Sequence, residues 1–420
     1  MALPRFIEKM DRLLKATNMN KNQLLEIARE FGTPLYVYDA SVIKKQVTVF
    51  KKAFRQYPLQ IRYAMKSNSN INILKLMRQE GLGLDTVSIP EIKIGLLAGF
   101  RPEQIVFTPN MVDFEEIVVA VDIGVYINIE NLSNLEKFGK KYGSKKSCCL
   151  RLNPDIVTES ESDKVEKWHS QSKFGIALSQ MGELFEIVRK YNMSINGIHI
   201  HSSHVIMSPE VFLKGAKILF DLAEKFPELE YVDFGGGIKV AHQSDEKVID
   251  INELGSAMKA LYDEFCTRMN KKVQLWFEPG RYLVGESGYL LVDSKVLKTN
   301  GSKIFVGVDS GFSHLIRPMF YNAYHEIENL SNPSGELKKY NVVGNLCEID
   351  NFAVDRTLNE VREGDFLVIR HTGAYGFCMS SQYNSRFRPA EVMILDGKPQ
   401  LIRKREIIDD LLKNQVEIEY

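Results

Sequence analysis

The sequence carries no excess of either charge: 54 Lys and Arg balance 54 Asp and Glu across 420 residues, a formal net charge of zero. Nucleic acids and anionic membrane surfaces are held by a basic face, so neither partner is expected. Cysteine is scarce and odd in number, five in all, and Cys148 and Cys149 are adjacent. That excludes a disulfide framework and points to a reducing compartment. No window approaches the roughly 18 uncharged apolar residues of a membrane-spanning helix, and residues 1–15 lack the apolar core of a secretory signal. The expected location is the cytoplasm. No segment is of low complexity, and none is rich enough in Gly, Ser or Pro to act as a flexible tether.

What the chain does have is a rhythm. Two amphipathic helices are expected at the N-terminus, the second read from Leu24, Leu25, Ile27, Ala28 and Phe31 with Gly32 as its stop, followed by a strand-like run at 34–38. Short β-like runs then begin near residues 61, 82, 104, 125, 147, 195, 231 and 274, separated by segments of helical period, and the first four spacings are 21, 22, 21 and 22 residues. Eight alternating strand and helix units predict a closed (β/α)8 TIM barrel. A leucine-rich repeat has a similar period, but its spacing of leucines is not found. A polar stretch at 155–171 within the long fifth interval predicts a loop at the barrel mouth. Beyond residue 285 the pattern turns to strands without long helices, near 291–297, 304–309, 340–347 and 366–370, and a hairpin of 392–395 and 400–403 about Asp396-Gly397. The predicted architecture is thus α/β: a barrel over residues 40–285, and a C-terminal all-β domain, sandwich or barrel-like, that takes in residues 1–39 together with 286–420.

In a (β/α)8 barrel the chemistry lies at the C-terminal ends of the strands. There the sequence places Lys66, Asp85, Asn110, Glu130, Arg151, His199 and His201, Gly235, Gly236 and Gly237, then Glu278 and Arg281. A lysine over the mouth is either a solvated side chain or, if partly desolvated, a Schiff-base amine. Three consecutive glycines after the seventh strand are a simple turn or a phosphate nest, and the loops after strands seven and eight are the frequent phosphate site of this fold. Together with Lys66 they point to pyridoxal phosphate. Glu278 would sit against the pyridine nitrogen, keeping the ring protonated, or else pair with Arg281 at the surface. His199 and His201 alternate with Ile200 and so share a face. One would stack on a flat ring while the other fills the core. A rival reading takes His-x-His, with His204 close behind, as a divalent-metal site completed by Asp85 and Glu278. The histidines at 169, 242, 314, 325 and 371 fall at no barrel strand end, and no metal is expected.

With these residues in place the sequence closely resembles the fold-type III pyridoxal-phosphate-dependent amino-acid decarboxylases, from about residue 31 to 392. The motifs are FGTPLYVYD (31–39), YAMKSN (63–68), LDTVS (84–88), AGF (98–100), RLNP (151–154), SKFG (172–175), GIHIH (197–201), FGGG (234–237), EPGR (278–281), RPMFY (317–321), CEIDNFAVDR (347–356), GAYG (373–376) and YNSRFRPAEV (383–392). The resemblance implies decarboxylation of meso-2,6-diaminopimelate to L-lysine and CO2. The alternatives are another basic or modified diamino acid, a racemase of the same barrel, and a non-catalytic cofactor-binding relative. It implies that Lys66 forms the Schiff base and that His201 stacks on the ring. Asp85, Arg151, Glu278, Gly280 and the three glycines would bind the cofactor, with Arg281 and Tyr375 shared between its phosphate and the substrate carboxylate. Arg317, Tyr321 and Glu348 would hold the far end of the substrate, and Cys347 would return a proton to the carbon after CO2 leaves. A head-to-tail homodimer with shared active sites is implied, because in this family the Cys-Glu segment reaches the barrel of the other subunit. Two departures stand out. The family has Gly-Ser after the stacking histidine, whereas this chain reads Ser202-Ser203-His204, so either Ser202, Ser203 or His204 is expected to donate to the phosphate, or the cofactor affinity differs. Its Cys-Glu-Ser-x-Asp motif is one residue shorter here, which brings Asp350 closer to Cys347.

Overall fold

A computed structural model describes residues 19–154, 173–201, 209–241, 246 and 248–420. The first expected N-terminal helix, the polar stretch at 155–171 and the segment 202–204 lie outside them. The chain divides into two compact units, one of residues 47–239 and 247–282, the other of residues 1–46, 240–246 and 283–420.

The first unit is a closed eight-stranded parallel barrel. Its strands are β2 (Leu59–Ala64), β3 (Gly83–Thr86), β4 (Ile105–Phe107), β5 (Tyr126–Ile129), β6 (Ser147–Asn153), β8 (Ser194–Ile200), β9 (Tyr231–Asp233) and β10 (Gln274–Phe277); β7 (Ile176–Ala177) is an extra short strand beside β6. Closure comes from β10 pairing with β2 and β5 with β6. Each of the eight runs expected from periodicity is a barrel strand, because the 21–22-residue spacing is what one strand, one helix and two tight turns consume. The helices start on ordinary caps: Asn70, Ser88, Asp113 and Asn131 each accept a backbone N–H of the first turn.

Alternation along each strand sends one set of side chains inward and the other outward. Outside, Phe277 and Phe234 pack against each other and against Phe50, Phe54 and Phe212. Inside, the lower barrel is filled by Val106, Cys149, Tyr231 and Trp276 with Tyr126 against them. Tyr231 and Trp276 stack with centroids 3.6 Å apart. Gly197 faces the Tyr231 ring, where a Cβ would come within 2.3 Å of it. The floor is therefore an aromatic plug, onto which the Arg62 guanidinium stacks from within the barrel.

The second unit is built on a nine-stranded sheet in which β15–β14–β12–β11–β1–β17–β18 run side by side, with β16 joining β11 and β13. The ranges are β1 (Leu35–Asp39), β11 (Gly288–Asn300), β12 (Lys303–Val308), β13 (Ile327–Asn329), β14 (Leu337–Val343), β15 (Asn351–Asn359), β16 (Phe366–Arg370), β17 (Ala390–Leu395) and β18 (Lys398–Arg403). The helix Lys21–Phe31 opens on Asn20 with a capping box to Gln23 and stops at Gly32, whose φ of 70° is the left-handed conformation glycine tolerates. Its Leu24, Ile27 and Ala28 join Leu35, Val37, Leu291, Val368 and Val392 in one core. The strand expected over 340–347 ends instead at Val343, leaving Cys347 in a loop, and β13 and β15 were not anticipated. Among the described residues no helix is long and apolar enough to cross a membrane.

Candidate active site

Lys66 lies on a single 3-10 turn, Met65–Ser67, directly after β2. The turn is fixed from both sides: Ser67 Oγ donates to the Ala64 carbonyl at 2.7 Å, and the Tyr63 hydroxyl donates to the Asn68 carbonyl at 2.9 Å. This local bonding is what the YAMKSN motif encodes. It leaves the Lys66 side chain 40% exposed while its Nζ sits 2.5 Å from Asp85 Oδ2 on the neighbouring strand β3.

Asp85 belongs to a buried cluster. Glu278 follows β10, Asp233 ends β9 and His199 lies on β8, all almost without exposure. One ligating atom from each of His199, Asp233 and Glu278 lies within 4.8 Å of the others, and His199 Nε2 is 3.4 Å from Glu278 Oε2. Their titrations separate. Burial raises Asp233 well above the usual carboxylate range, and the nearby Glu278 charge raises it further. Burial and Glu278 also raise Asp85, against the opposing pull of Lys66. Burial pushes Glu278 up too, but His199, Lys66 and His201 outweigh it and hold this carboxyl well below its usual range. Glu278 is thus the ionised member of the cluster, with Oε1 lacking a hydrogen-bond partner among the described residues.

The glycine run lies between these groups. Gly235 N–H donates to Asp233 Oδ1 at 2.8 Å, Gly236 N–H to His201 Nδ1 at 3.2 Å, and Glu278 N–H to the Gly235 carbonyl at 2.7 Å. A Cβ on Gly235 would lie 2.6 Å from His201 Nδ1, and one on Gly236 would lie 2.6 Å from the Glu278 carbonyl. Gly235 and Gly237 have φ of 64° and 92°. Gly280 packs beneath Ser67 and Ala64, and Arg281 opens the short helix Arg281–Val284. On the far side Arg151 NH1 is 3.5 Å from Glu130 Oε2 and its guanidinium lies over the Phe174 ring. Glu130 in turn accepts from Asn110 Nδ2 and the Met111 N–H. Asp85, His199, Glu278, Lys66, His201 and the glycines are therefore brought to one end of the barrel. Ser203 and His204 lie outside the described residues.

This donor set fits pyridoxal phosphate. An amine on a short turn, an ionised carboxylate with an oxygen to spare, and a cradle of glycines that any Cβ would fill match its aldehyde, ring nitrogen and phosphate. The same His199, Asp233 and Glu278 offer three ligands to a cation, but His201, the other half of the His-x-His pair, has its Nδ1 turned to Gly236.

The second unit carries the remaining expected residues. Arg317 begins the helix Arg317–Tyr321; it is buried and its Nε donates to His325 Nε2 at 3.3 Å. Tyr321 ends that helix, exposed. Tyr375 is half-buried with φ of 58°. Cys347 and Glu348 are exposed, and two residues that sequence reasoning gave no role hold them: Asn384 Oδ1 accepts the Cys347 N–H at 2.9 Å, and the Tyr383 hydroxyl donates to Glu348 Oε1 at 3.2 Å. Both lie in the quoted YNSRFRPAEV motif, which was the available signal. Asp233, in the middle of an apolar run, gave none.

The shortened Cys-Glu-Ile-Asp segment buries Asp350, whose Oδ1 accepts the Phe312 N–H at 2.6 Å. Gly311 and Gly344 make room for it, since a Cβ on either would lie within 2.6 Å of Asp350 Oδ2. Burial pushes this carboxyl from the usual 3.8 up to about 6, against the pull of the Phe312 and Leu346 backbone donors. A carboxyl raised in the folded state favours folding while protonated, and the benefit is lost as pH climbs from about 4 through about 6. Asp350→Asn is expected to remove that loss, gaining roughly 1–3 kcal/mol at pH 7 and little at pH 4. Thermal melts across pH 4–7 check it, and parallel curves for the two proteins would refute it.

Residues 40–285 match the family described as pyridoxal-dependent decarboxylase, pyridoxal binding domain. Diaminopimelate decarboxylase of Methanothermobacter thermautotrophicus is 37% identical over 401 residues, 93% of each chain. That of Escherichia coli K12 is 32% identical over 413 residues, 94% of this chain and 97% of the relative. The crystal structure of diaminopimelate decarboxylase from Helicobacter pylori complexed with L-lysine superposes with a TM-score of 0.84 at 31% identity, covering 93% of this chain and 98% of that one. With its amine, ionised glutamate and glycine cradle at the mouth of a closed barrel, the chain belongs to the diaminopimelate decarboxylases within the pyridoxal-dependent decarboxylase family.

Proposed function

We propose that this protein removes CO2 from meso-2,6-diaminopimelate to give L-lysine, acting in the cytoplasm as a homodimer. The observation that carries the reading is the convergence of Lys66, Asp85, Glu278 and the glycine run at one end of the barrel, in a chain with diaminopimelate decarboxylase relatives along nearly its whole length. Pyridoxal phosphate, when bound, supplies an electron sink for the carbanion left as CO2 departs. Lys66 binds the cofactor aldehyde through Nζ, and Asp85 holds that amine in place beforehand. Glu278, kept ionised, accepts the proton-bearing ring nitrogen through its spare oxygen. His201 covers the ring face. Gly235, Gly236, Gly237, Gly280 and Arg281 would hold the phosphate, a role the family resemblance also implies for Tyr375, Ser203 and His204, and Arg151 with Glu130 lines the opposite wall.

Two heads of the substrate need different treatment. Arg317, rigid because it is buried against His325, grips the distal carboxylate, helped by Tyr321. Glu348 selects the distal ammonium. Cys347 Sγ delivers a proton to the α-carbon. In a single chain Cys347 and Glu348 are exposed, next to Ile349 at 75% exposure, and Phe320 is 67% exposed. A second copy that covers this apolar margin would receive the Cys347–Glu348 segment at its own barrel, giving the shared active sites of a homodimer.

Incubating the purified protein and cofactor with diaminopimelate, lysine, ornithine and arginine while measuring CO2 is expected to give release from diaminopimelate, with L-lysine as product. Release from another diamino acid alone would reassign the substrate, and no release from any would leave a cofactor-binding relative.

A further inference from the structure

Within the barrel, beneath the carboxylate cluster, lies a charge for which the chemistry above has no use. Arg62, on β2, is only 4% exposed. Its guanidinium carbon stands 3.7 Å from the centre of the Trp276 ring and 4.9 Å from that of Tyr126. Gly83 on the adjoining strand leaves room for it, since a Cβ there would lie 3.1 Å from Arg62 NH1. Among the described residues it forms no ion pair, and its Nε has no acceptor. The acids that act on it from a distance are Asp233 and Glu278.

An aliphatic side chain would fill this space without the desolvation cost of a guanidinium, which stacking on Trp276 offsets only in part. The strand register shows where the charge is directed. Ile61 pairs with Phe277 and Trp276 with Asp233, so Arg62 and Glu278 are the next residues on adjacent strands, and Arg62 leans back onto the ring two residues below Glu278. Around Glu278 are Lys66 after β2, Asp85 on β3, Cys149 on β6, His199 and His201 on β8, and Asp233 on β9. Lys66 is the amine that the cofactor takes, and an imidazole is a cation only while protonated. Arg62 is the cation of this group that no proton loss can remove.

We infer that Arg62 is a positioning residue: its permanent charge, fixed from below by Trp276 and Tyr126, keeps Glu278 ionised once Lys66 is committed to the cofactor. This rests on the decarboxylase reading of the site. The test compares wild type with Arg62→Lys and Arg62→Met, and with Arg62→Gln as a second neutral variant. Three readouts against pH are used: kcat/KM for the diamino acid, the visible absorbance of the bound cofactor, and the affinity of cofactor-free protein for pyridoxal phosphate by equilibrium dialysis.

The neutral variants are expected to move the acid limb of all three upward by roughly one pH unit, an interaction of a full charge across one strand step at intermediate dielectric. The lysine variant should restore the limb to within a few tenths of a unit. Limbs that overlay the wild type while melting temperature falls would assign Arg62 to packing and overturn the inference. So would a lysine variant shifted as far as the neutral ones, or failure of both neutral variants to fold. If wild type itself neither binds the cofactor nor releases CO2 from any diamino acid, the decarboxylase reading is what fails.

Discussion

Lys66→Ala is expected to lower turnover by at least about a thousandfold and to abolish the visible absorbance that the wild-type amine gives the bound cofactor. The side chain extends from a turn whose own hydrogen bonds come from Tyr63, Ser67 and the backbone, so the fold should survive. The partner left behind, Asp85, is buried and already raised by burial and by Glu278. It can therefore sit protonated without an ion pair, and the melting temperature should change little. Absorbance spectra, single-turnover assays and melts of the two proteins check the three statements. A mutant that kept the wild-type spectrum would show that Lys66 is not the covalent attachment point.

The second large effect is expected at Cys347. Removing a general acid that acts at one atom costs on the order of 10²–10⁴ in rate, so Cys347→Ala should slow product formation by that amount while cofactor affinity stays within about twofold. Cys347 is exposed in the single chain and is held by its backbone, through Asn384, rather than by its thiol. Stability should accordingly shift by no more than about 0.5 kcal/mol. Equal losses in cofactor binding and turnover would instead mean that the residue shapes the segment and moves no proton. Tyr383→Phe gives a control from the segment that supports this loop, since it frees Glu348 while leaving the Cys347 thiol in place.

The barrel was legible because its signal is repeated eight times: each strand is short, bounded by a cap such as Ser88 or Asn131, and spaced by one helix. The site was legible wherever a polar residue interrupts a strand at its C-terminal end, as with Lys66, Asp85 and Glu278. It was not legible where the polar residue looks like core or like surface. Asp233 sits inside Tyr231-Val232-Asp233-Phe234 and reads as a buried strand, yet its carboxyl caps Gly235 and joins the Glu278 cluster. Arg62 was given no role by the sequence, and only the pairing of β2 with β10 places it against Trp276. In the second unit β15 was hidden because its inward and outward residues do not alternate cleanly, with Val354 exposed and Asp355 at positive φ. The loop around Cys347 escaped for a different reason: its supports, Tyr383 and Asn384, are more than thirty residues away in sequence.

The place of β1 also bears on how the protein is made. This strand lies antiparallel to β11 on one side and parallel to β17 on the other, and its Tyr38 hydroxyl donates to Glu391 at 2.7 Å across 353 residues of chain. On the ribosome, the whole barrel sequence emerges before either neighbour of β1 exists. The barrel strands pair with one another and need nothing downstream, so that unit is free to fold first, while β1 gains β11 on one side early and keeps its other edge open until β17 appears. A truncation before residue 390 would therefore leave a folded barrel carrying an exposed strand of Leu-Tyr-Val-Tyr, and aggregation through that edge would be the expected fate of incomplete chains.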